Sequence, residues 1–310
     1  DDIHWAEPTF LDLIDYIADT SRGVPILLIC LARPELLDVR RDWGGGKLNA
    51  TSVLLEPLSM EECCRMIEHL AGLSEKATRR LADAVEGNPL FVEEMLAAMI
   101  DEGLLVRTSG RWVATGDLES VPTPPTIQAL LSARLDRLSP NEQAVIERAS
   151  VEGKVFHEGS VRELAADSLK PSVGKHLETL VRKELIRPTK PDFAGESAFH
   201  FRHLLIRDAA YESLPKATRA DLHELFARWL EQKGADRTPE YEEIVGYHLE
   251  RAYQYRTEFG SLDDPTQSLA REAAMRLGSA GRRAFVRKDA TAAVNLISRA
   301  AALLPADDPS

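Results

Sequence analysis

The sequence predicts a mainly α protein whose first residues belong to a partial α/β arrangement. Beyond residue 58 the apolar side chains recur three to four residues apart, which is the period of an amphipathic helix. Before that point, Val24–Ala32 is an uninterrupted apolar run of strand length, as expected of a parallel strand covered on both faces. A strand–helix–strand order followed by helices predicts the end of an α/β sheet and then helical domains.

The composition excludes several classes of protein. The formal net charge of −12 disfavours nucleic-acid binding, because phosphate contacts depend on clustered lysine and arginine. No apolar run reaches the roughly 18 residues of a membrane-spanning helix, so we expect no membrane association. The three cysteines do not make a disulfide framework, and the cytoplasm is the expected compartment.

Asp1 and Asp2 are adjacent carboxylates at the expected end of a strand. Mg²⁺-assisted attack on a phosphate needs such a pair, since one carboxylate holds the metal and the other orients or deprotonates a water. An exposed acidic turn is the alternative. No phosphate-binding loop precedes Asp1, so we expect the chain to be an excerpt of a longer protein.

The rest of the first segment, 1–58, is predicted to contain a helix and two strands. The helix is expected at 9–20, where apolar residues share one face, and the strands are expected at 24–32 and 52–55. This segment reads as the C-terminal part of a nucleotide-binding sheet.

Gly44–Lys47 invites comparison with a phosphate-binding loop. The Walker A pattern requires Gly, four residues and then Gly-Lys-Ser/Thr. Arg41 and Leu48 occupy the first Gly position and the Ser/Thr position, so the pattern fails twice. We therefore expect no phosphate binding at this loop.

The second segment, 59–120, is predicted to be a helical lid with a hairpin. Ser59 and Glu62 have the spacing of a capping box at a helix start. A hairpin is expected at 104–115, with its turn at Ser109-Gly110. The expected helices run from Ser59 to about Gly72 and cover roughly 74–85 and 89–102.

The third segment, 121–203, is predicted to be a winged-helix domain that follows a proline-rich linker at 121–125. One apolar helical face precedes Ser139 and Pro140, which mark the next helix start. Two more helices and a small hairpin wing complete the pattern. Their expected positions are about 158–166, 171–184, 185–187 and 198–201.

DNA reading is the alternative function for this segment. Its third helix carries a modest basic set, which two glutamates, Glu178 and Glu184, offset. The basic residues are Lys175, His176, Arg182 and Lys183. Packing against protein agrees better with the acidic net charge.

The remaining sequence is predicted to be helical, as an arm at 204–262 and a repeat at 263–310. An antiparallel helix pair is expected at 269–304, with Asp289 at the turn and Pro305 after the second helix. Its small residues and length of roughly 34 residues resemble one tetratricopeptide repeat. One repeat cannot bury its face alone, so we expect further repeats or other proteins to bind there.

Four motifs in this order resemble the STAND class of signalling ATPases, and the resemblance covers essentially the whole chain. They are Asp1-Asp2-Ile-His-Trp-Ala, Ala32-Arg33-Pro34-Glu35, Gly87-Asn88-Pro89-Leu90-Phe91-Val-Glu-Glu94 and His200-Phe-Arg-His203-Leu-Leu-Ile-Arg-Asp-Ala-Ala-Tyr211. The chain is most similar to the AAA-like modules of bacterial class III adenylate/guanylate cyclase-type proteins. Those proteins place a cyclase domain before the module and tetratricopeptide repeats after it, and related modules occur in large LuxR-type transcriptional regulators.

The resemblance implies a hydrolytic half-site at the start of the chain. Asp1 matches the Walker B aspartate that coordinates Mg²⁺, and Asp2 matches the carboxylate that orients the attacking water. Arg33 resembles the sensor arginine that meets a γ-phosphate. A salt bridge to Glu35 is the alternative for Arg33.

The resemblance also implies nucleotide contacts farther along the chain. Gly87 and Pro89 match an element that lies against the base and ribose, although Asn88 as helix cap and Pro89 as first helical residue also explain the motif. His203 resembles a histidine that senses the β-phosphate of ADP. Leu204 replaces the acidic residue of that pattern, and a packed or solvated histidine is the alternative.

The function implied by the resemblance is a regulatory ATPase module that lacks Walker A. Its ligands in the intact protein would be ATP or ADP and Mg²⁺, and its partner would be an attached effector such as a nucleotide cyclase. The chain alone is expected to be inactive. A non-catalytic protein-interaction scaffold is the second hypothesis, because nothing in the sequence grips the β- and γ-phosphates. An ATP-dependent LuxR-type regulator is the third.

Overall fold

The computed structural model describes residues 1–310 except 22, 46, 48, 72, 109–110, 116–125, 235–237, 261–262 and 305–310. The described residues are mainly helical and carry two small antiparallel sheets, which confirms the predicted mainly α class. They form two compact units, of which the first contains 1–55, 242–250 and 267–310 and the second contains 56–241 and 251–266. The predicted five-part division stays a prediction.

The helices and strands follow one another along the chain, with the longest connections before three of the helices. In order they are α1 (Pro8–Thr20), α2 (Leu36–Val39), α3 (Met60–Ala71), α4 (Glu75–Ala84), α5 (Pro89–Asp101), β1 (Leu105–Thr108), β2 (Arg111–Ala114), α6 (Ile127–Asp136), α7 (Pro140–Glu152), β3 (Val155–His157), α8 (Glu158–Leu164), α9 (Val173–Arg182), β4 (Ile186–Thr189), β5 (Ala198–Phe201), α10 (Leu204–Ser213), α11 (Lys216–Lys233), α12 (Thr238–Glu258), α13 (Asp264–Val286) and α14 (Ala290–Ala302). The longest connections precede α2, α3 and α6. Within the described ranges, none of these helices has the length and apolar character needed to cross a membrane.

Four predicted features fall on residues outside the described ranges. They are the hairpin turn at Ser109-Gly110, the linker at 121–125, part of the Gly44–Lys47 loop with Leu48, and the helix stop at Pro305. The hairpin itself is confirmed, because β1 and β2 pair antiparallel with Leu105 opposite Ala114.

The predicted strands at 24–32 and 52–55 do not form in the described structure of this chain. Neither segment belongs to either sheet of the described residues, and Leu27, Ile29 and Leu54 expose 82%, 75% and 77% of their surfaces. A strand requires a neighbour that accepts and donates the backbone hydrogen bonds. The apolar pattern marks segments suited to burial, but it supplies no such neighbour.

The first unit confirms the predicted helix pair. α13 and α14 pack through small side chains, and Ala284, Ala292 and Ala293 are buried between them. Asp289 caps α14, since its carboxylate accepts a hydrogen bond from the Ala292 backbone N–H at 3.1 Å. An added Cβ at Gly281 would lie 2.8 Å from a side-chain carbon of Ile297, so the helices approach closely there.

The second unit begins with a helical core built from α3, α4, α5 and the β1–β2 hairpin. The predicted capping box is confirmed, because Glu62 accepts the Ser59 backbone N–H at 2.9 Å and Ser59 Oγ accepts the Glu62 N–H at 3.3 Å. Buried Cys63, Ile67, Val92 and Met95 share one hydrophobic cluster. Cys63 is therefore a core residue, and burial raises the pKa of its thiol.

The same unit continues with a three-stranded sheet covered by helices. Along the chain the elements follow in the order α7–β3–α8–α9–β4–β5. Across the antiparallel sheet the strands lie in the order β3–β5–β4. Phe156 and Phe201 project from it into a core that contains Ile146 and Leu177. β3 was not predicted, because three residues are too few to show a strand period. It is recognisable only by its pairing with β5.

The loop between β4 and β5 packs against its own unit. The Phe193 ring lies 4.9 Å from the ring of His157, 5.5 Å from Trp229 and 5.4 Å from Tyr241, measured between centroids. Glu196 accepts the Gly159 backbone N–H at 3.1 Å and forms an ion pair with Lys233. This loop is therefore tied to α11 and to the start of α12.

Replacing Phe193 with alanine should lower the free energy of unfolding by about 2 kcal/mol. The Phe193 ring is half-buried, so its removal should cost less than the removal of a fully buried aromatic ring. Phe259→Ala is the control, since the Phe259 ring is 62% exposed and its loss should cost less than about 0.5 kcal/mol. Urea unfolding followed by circular dichroism measures both. Equal losses in the two variants would contradict the packing of the loop.

Candidate functional site

The beginning of the chain lies directly beside the residues around Arg33. The Ile3 backbone N–H donates to the Leu31 carbonyl at 3.0 Å, and the Arg33 backbone N–H donates to His4 Nδ1 at 3.4 Å. Asp1 and Asp2 thus stand at the same edge of the first unit as Arg33. This proximity joins two motifs that are about thirty residues apart in the sequence.

Asp2 has a backbone conformation that is uncommon outside glycine. Its φ is 54° and its ψ is 34°, in the left-handed region, where it precedes a 3₁₀ turn over Ile3–Trp5. Aspartate tolerates this region better than most residues, and such conformations cluster at functional sites. The Asp2 side chain makes no capping bond to that turn and is exposed.

The oxygen donors of Asp1 and Asp2 suit Mg²⁺. This ion commonly takes one or two carboxylates from the protein and completes its shell with water and substrate phosphates. Among the described residues, no group of three or more His, Cys, Asp or Glu side chains could hold a metal by itself.

His4 has a structural role that the sequence did not reveal. Its Nδ1 accepts the Arg33 N–H, so its Nε2 is the protonated nitrogen when the ring is neutral. Nε2 is buried and has no hydrogen-bond partner among the described residues. The imidazole links the two motif segments and packs against Trp5 with ring centroids 5.0 Å apart.

Gly87 is required by the backbone that it contacts. Its φ is 79°, and an added Cβ would lie 2.5 Å from the Leu58 carbonyl oxygen and 2.8 Å from Pro57 Cβ. The Gly87 carbonyl accepts the Leu58 N–H at 2.9 Å. The contact with residues 57–58 therefore fixes the position of the turn that precedes α5.

The next two residues start α5 as expected. Asn88 Oδ1 accepts the backbone N–H groups of Leu90 at 3.0 Å and Phe91 at 3.3 Å, and Pro89 is the first helical residue. The capping interpretation of the motif is confirmed. Contact of Gly87 and Pro89 with a nucleotide stays a prediction.

His203 precedes α10 and faces α5. Its Nε2 lies 3.9 Å from Glu94 Oε1, and this nitrogen is buried without a hydrogen-bond partner in the described part of the chain. Burial lowers the pKa of His203 because it disfavours the imidazolium, and the nearby Glu94 carboxylate only partly opposes this effect. The ring is therefore neutral at pH 7.

Glu94 and Arg134 form a buried ion pair in the second unit. They are only 1% and 5% exposed. Arg134 Nε also donates to Asp101 Oδ2 at 3.1 Å, and its Nη2 donates to the Lys183 carbonyl at 3.0 Å. One guanidinium thus connects α5, α6 and the residue that follows α9.

Glu93, the residue before Glu94, takes part in a second ion pair. Glu93 pairs with Arg202 at 3.2 Å, and Arg202 also pairs with Glu184. Two consecutive carboxylates of α5 therefore face the consecutive residues Arg202 and His203. The sequence analysis missed Arg134, although its position on the apolar face that carries Leu130, Leu131 and Leu135 was a signal that it is buried.

The predicted site residues divide between the two units. Asp1, Asp2 and Arg33 lie together in the first unit, whereas Gly87, Pro89 and His203 lie in the second. Within the second unit, α5 links the Gly87–Pro89 turn to the surroundings of His203 through Glu94.

Comparison with known proteins adds one relative. No protein-family model matches the chain. The chain is similar to the uncharacterized protein R02095 of Rhizobium meliloti (strain 1021), with 27% identity over 240 residues. The match covers 72% of this chain and 21% of the relative, so the chain spans about a fifth of the relative's length.

Gly87→Ala should destabilise the second unit more than Gly103→Ala does. Both glycines have positive φ, but an added Cβ at Gly103 meets nothing within 4 Å. The control should therefore lose about 1 kcal/mol from the backbone conformation alone, and Gly87→Ala should lose about 1–3 kcal/mol more from the clash with 57–58. Urea unfolding measures the difference, and equal losses would contradict the close approach.

Proposed function

We propose that the chain is the C-terminal part of an ATP-dependent regulatory module of the STAND type. The observation that carries this proposal is the hydrogen-bonded contact of Ile3 and His4 with Leu31 and Arg33. It brings the backbone after Asp1 and Asp2 next to the backbone of Arg33, which supports a role for the two carboxylates and this arginine in nucleotide hydrolysis. The order of the four motifs supports the same proposal.

Each residue of the half-site has a distinct task in this proposal. Asp1 would hold Mg²⁺, which neutralises charge on the phosphates when it is bound, and Asp2 would orient the attacking water. The Arg33 guanidinium would meet the γ-phosphate. Gly87 and Pro89 would border the base and ribose, and His203 would respond to the β-phosphate of ADP.

The exposed apolar segments support the proposal that this chain contributes only part of a sheet. Residues 26–28, 30–34 and 49–55 line a cavity of about 830 Å³ together with Ile14, Ile17 and Trp43. Continuous apolar segments of this kind suit strands that are buried on both faces. We propose that they join a P-loop NTPase sheet whose other strands, and whose Walker A loop, belong to another part of a longer protein.

The remaining elements would transmit the nucleotide state. The order α7–β3–α8–α9–β4–β5 and the sheet order β3–β5–β4 support the winged-helix assignment. The packed loop around Phe193 favours protein contacts over DNA reading. The α13–α14 pair would be a tetratricopeptide-like repeat, and the effector would be a cyclase or another attached domain in the cytoplasm.

A non-catalytic scaffold is the second candidate function, and the surface of the repeat favours it. Met275, Phe285, Val286 and Val294 on α13 and α14 are each more than 60% exposed. Apolar side chains concentrated on one helix pair are typical of protein-binding surfaces. A LuxR-type regulator would use the same repeat but would also require a DNA-binding segment elsewhere.

Calorimetry with Mg-ATP on this chain tests the proposal that the Walker A loop lies in another part of a longer protein. We expect no binding at micromolar ATP, because the sequence contains no Walker A pattern, and Arg33 and His203 alone should not hold the β- and γ-phosphates. Micromolar binding by the chain alone would contradict the proposal that the phosphate-gripping loop lies elsewhere.

Asp2→Asn in the full-length protein should reduce ATP turnover by about 100-fold and leave ATP affinity largely unchanged, because only water activation is lost. Asp38→Asn is a matched control, since Asp38 is an exposed carboxylate of the same unit. Steady-state phosphate release and nucleotide titration measure the two quantities. Normal turnover in the Asp2 variant would remove Asp2 from the proposed role.

A further inference from the structure

The buried pair of Glu94 and Arg134 occupies a position between two motifs. Glu94 lies five residues after Pro89 on α5, a distance of about 7.5 Å along a helix axis. A helix moves as a rigid rod over so short a length. Any displacement of the Gly87–Pro89 turn is therefore carried to the Glu94 carboxylate.

The carboxylate of Glu94 has two cationic or potentially cationic neighbours. Arg134 holds it from α6, and His203 Nε2 stands 3.9 Å away at the start of α10. Arg134 is itself fixed by Asp101 and by the Lys183 carbonyl. The position of the carboxylate relative to His203 is thus set by Arg134.

Burial alone does not explain why these residues are ionic. Two well-packed apolar side chains can join a pair of helices as firmly as a buried ion pair, whereas an ion pair fixes one geometry through directional bonds. A fixed geometry is what a coupling element needs. A network of ion pairs and rigid helices can carry such coupling between two sites.

We propose that Arg134 is a positioning residue that couples the Gly87–Pro89 turn to His203 by holding the Glu94 carboxylate between them. The coupling rests on the proposed function for its ligand, since the nucleotide would act at the turn. The connection itself is a property of this chain and can be measured without nucleotide.

The charged groups around His203 determine how its pKa should change in the variants. Glu94 and Glu93 face it from α5 and favour the imidazolium, while Arg202 beside it and Arg187 on β4 oppose the imidazolium. Arg134 neutralises Glu94 from the far side. Removing Glu94 and removing Arg134 should therefore move the titration of His203 in opposite directions.

Titration of His203 by NMR in the whole chain tests the proposal. Glu94→Gln should lower the pKa of His203, because an attracting carboxylate is lost. Arg134→Met should raise it, because Glu94 is then compensated only by His203. Arg137→Met is the matched control, since the half-exposed Arg137 pairs with Glu102 just after the ends of the same two helices and should leave His203 unchanged.

Amide exchange provides a second readout at the turn. Arg134→Met should accelerate exchange of the Leu90 and Phe91 amides, which Asn88 caps, by at least about threefold, and Arg137→Met should not. If Arg134→Met does not fold, the double variant Glu94→Gln/Arg134→Met takes its place. It leaves no buried charge of the Glu94–Arg134 pair, and Asp101, which also loses Arg134, is 38% exposed. The pKa of His203 in the double variant should equal the pKa of His203 in Glu94→Gln.

The outcomes separate this inference from the proposed function. An unchanged His203 titration in both single variants, or equal exchange at Leu90 and Phe91 in Arg134→Met and Arg137→Met, would overturn the coupling. Neither result concerns ATP. Failure of the full-length protein to bind Mg-ATP would overturn the proposed function and leave the measured coupling in place.

Discussion

The Arg134 guanidinium joins three parts of the second unit by polar contacts. It is buried, it pairs with Glu94, and it also binds Asp101 and the Lys183 carbonyl. Loss of one member of such a pair typically costs about 3–5 kcal/mol, because the other charge remains buried and unpaired. The packing of α5 against α6, and of both against the end of α9, therefore requires this one side chain.

This constraint connects features that would otherwise be unrelated. The Gly87 turn is fixed to residues 57–58 by a contact that admits no Cβ, and Asn88 and Pro89 start α5 there. The same helix carries Glu93 and Glu94 to Arg202 and His203. Under the proposed coupling, a ligand that moved the turn would change the surroundings of His203.

Much of the helical structure could be predicted from the sequence, because helix signals are local. The capping box of Ser59, the cap of Asn88 and the turn at Asp289 each depend on residues three or four positions apart. β3 and the missing strands at 24–32 and 52–55 could not be predicted correctly, since a strand depends on a partner that the pattern does not specify.

The candidate site was predicted in part for the same reason. Asp2 and Arg33 were identified by motif, but their proximity depends on His4, which the motif marked without explaining. Arg134 was missed because its partners come from α5 and from the end of α9, far away in the sequence. Buried charges reveal their purpose only when the fold brings their partners together.

Hydrogen–deuterium exchange of the full-length protein, with and without saturating Mg-ATP, tests the central claim most directly. A nucleotide held by Asp1, Asp2 and Arg33 should protect residues 1–5 and 31–33. Unchanged exchange in both segments, with protection elsewhere in the protein, would contradict a nucleotide site at these residues.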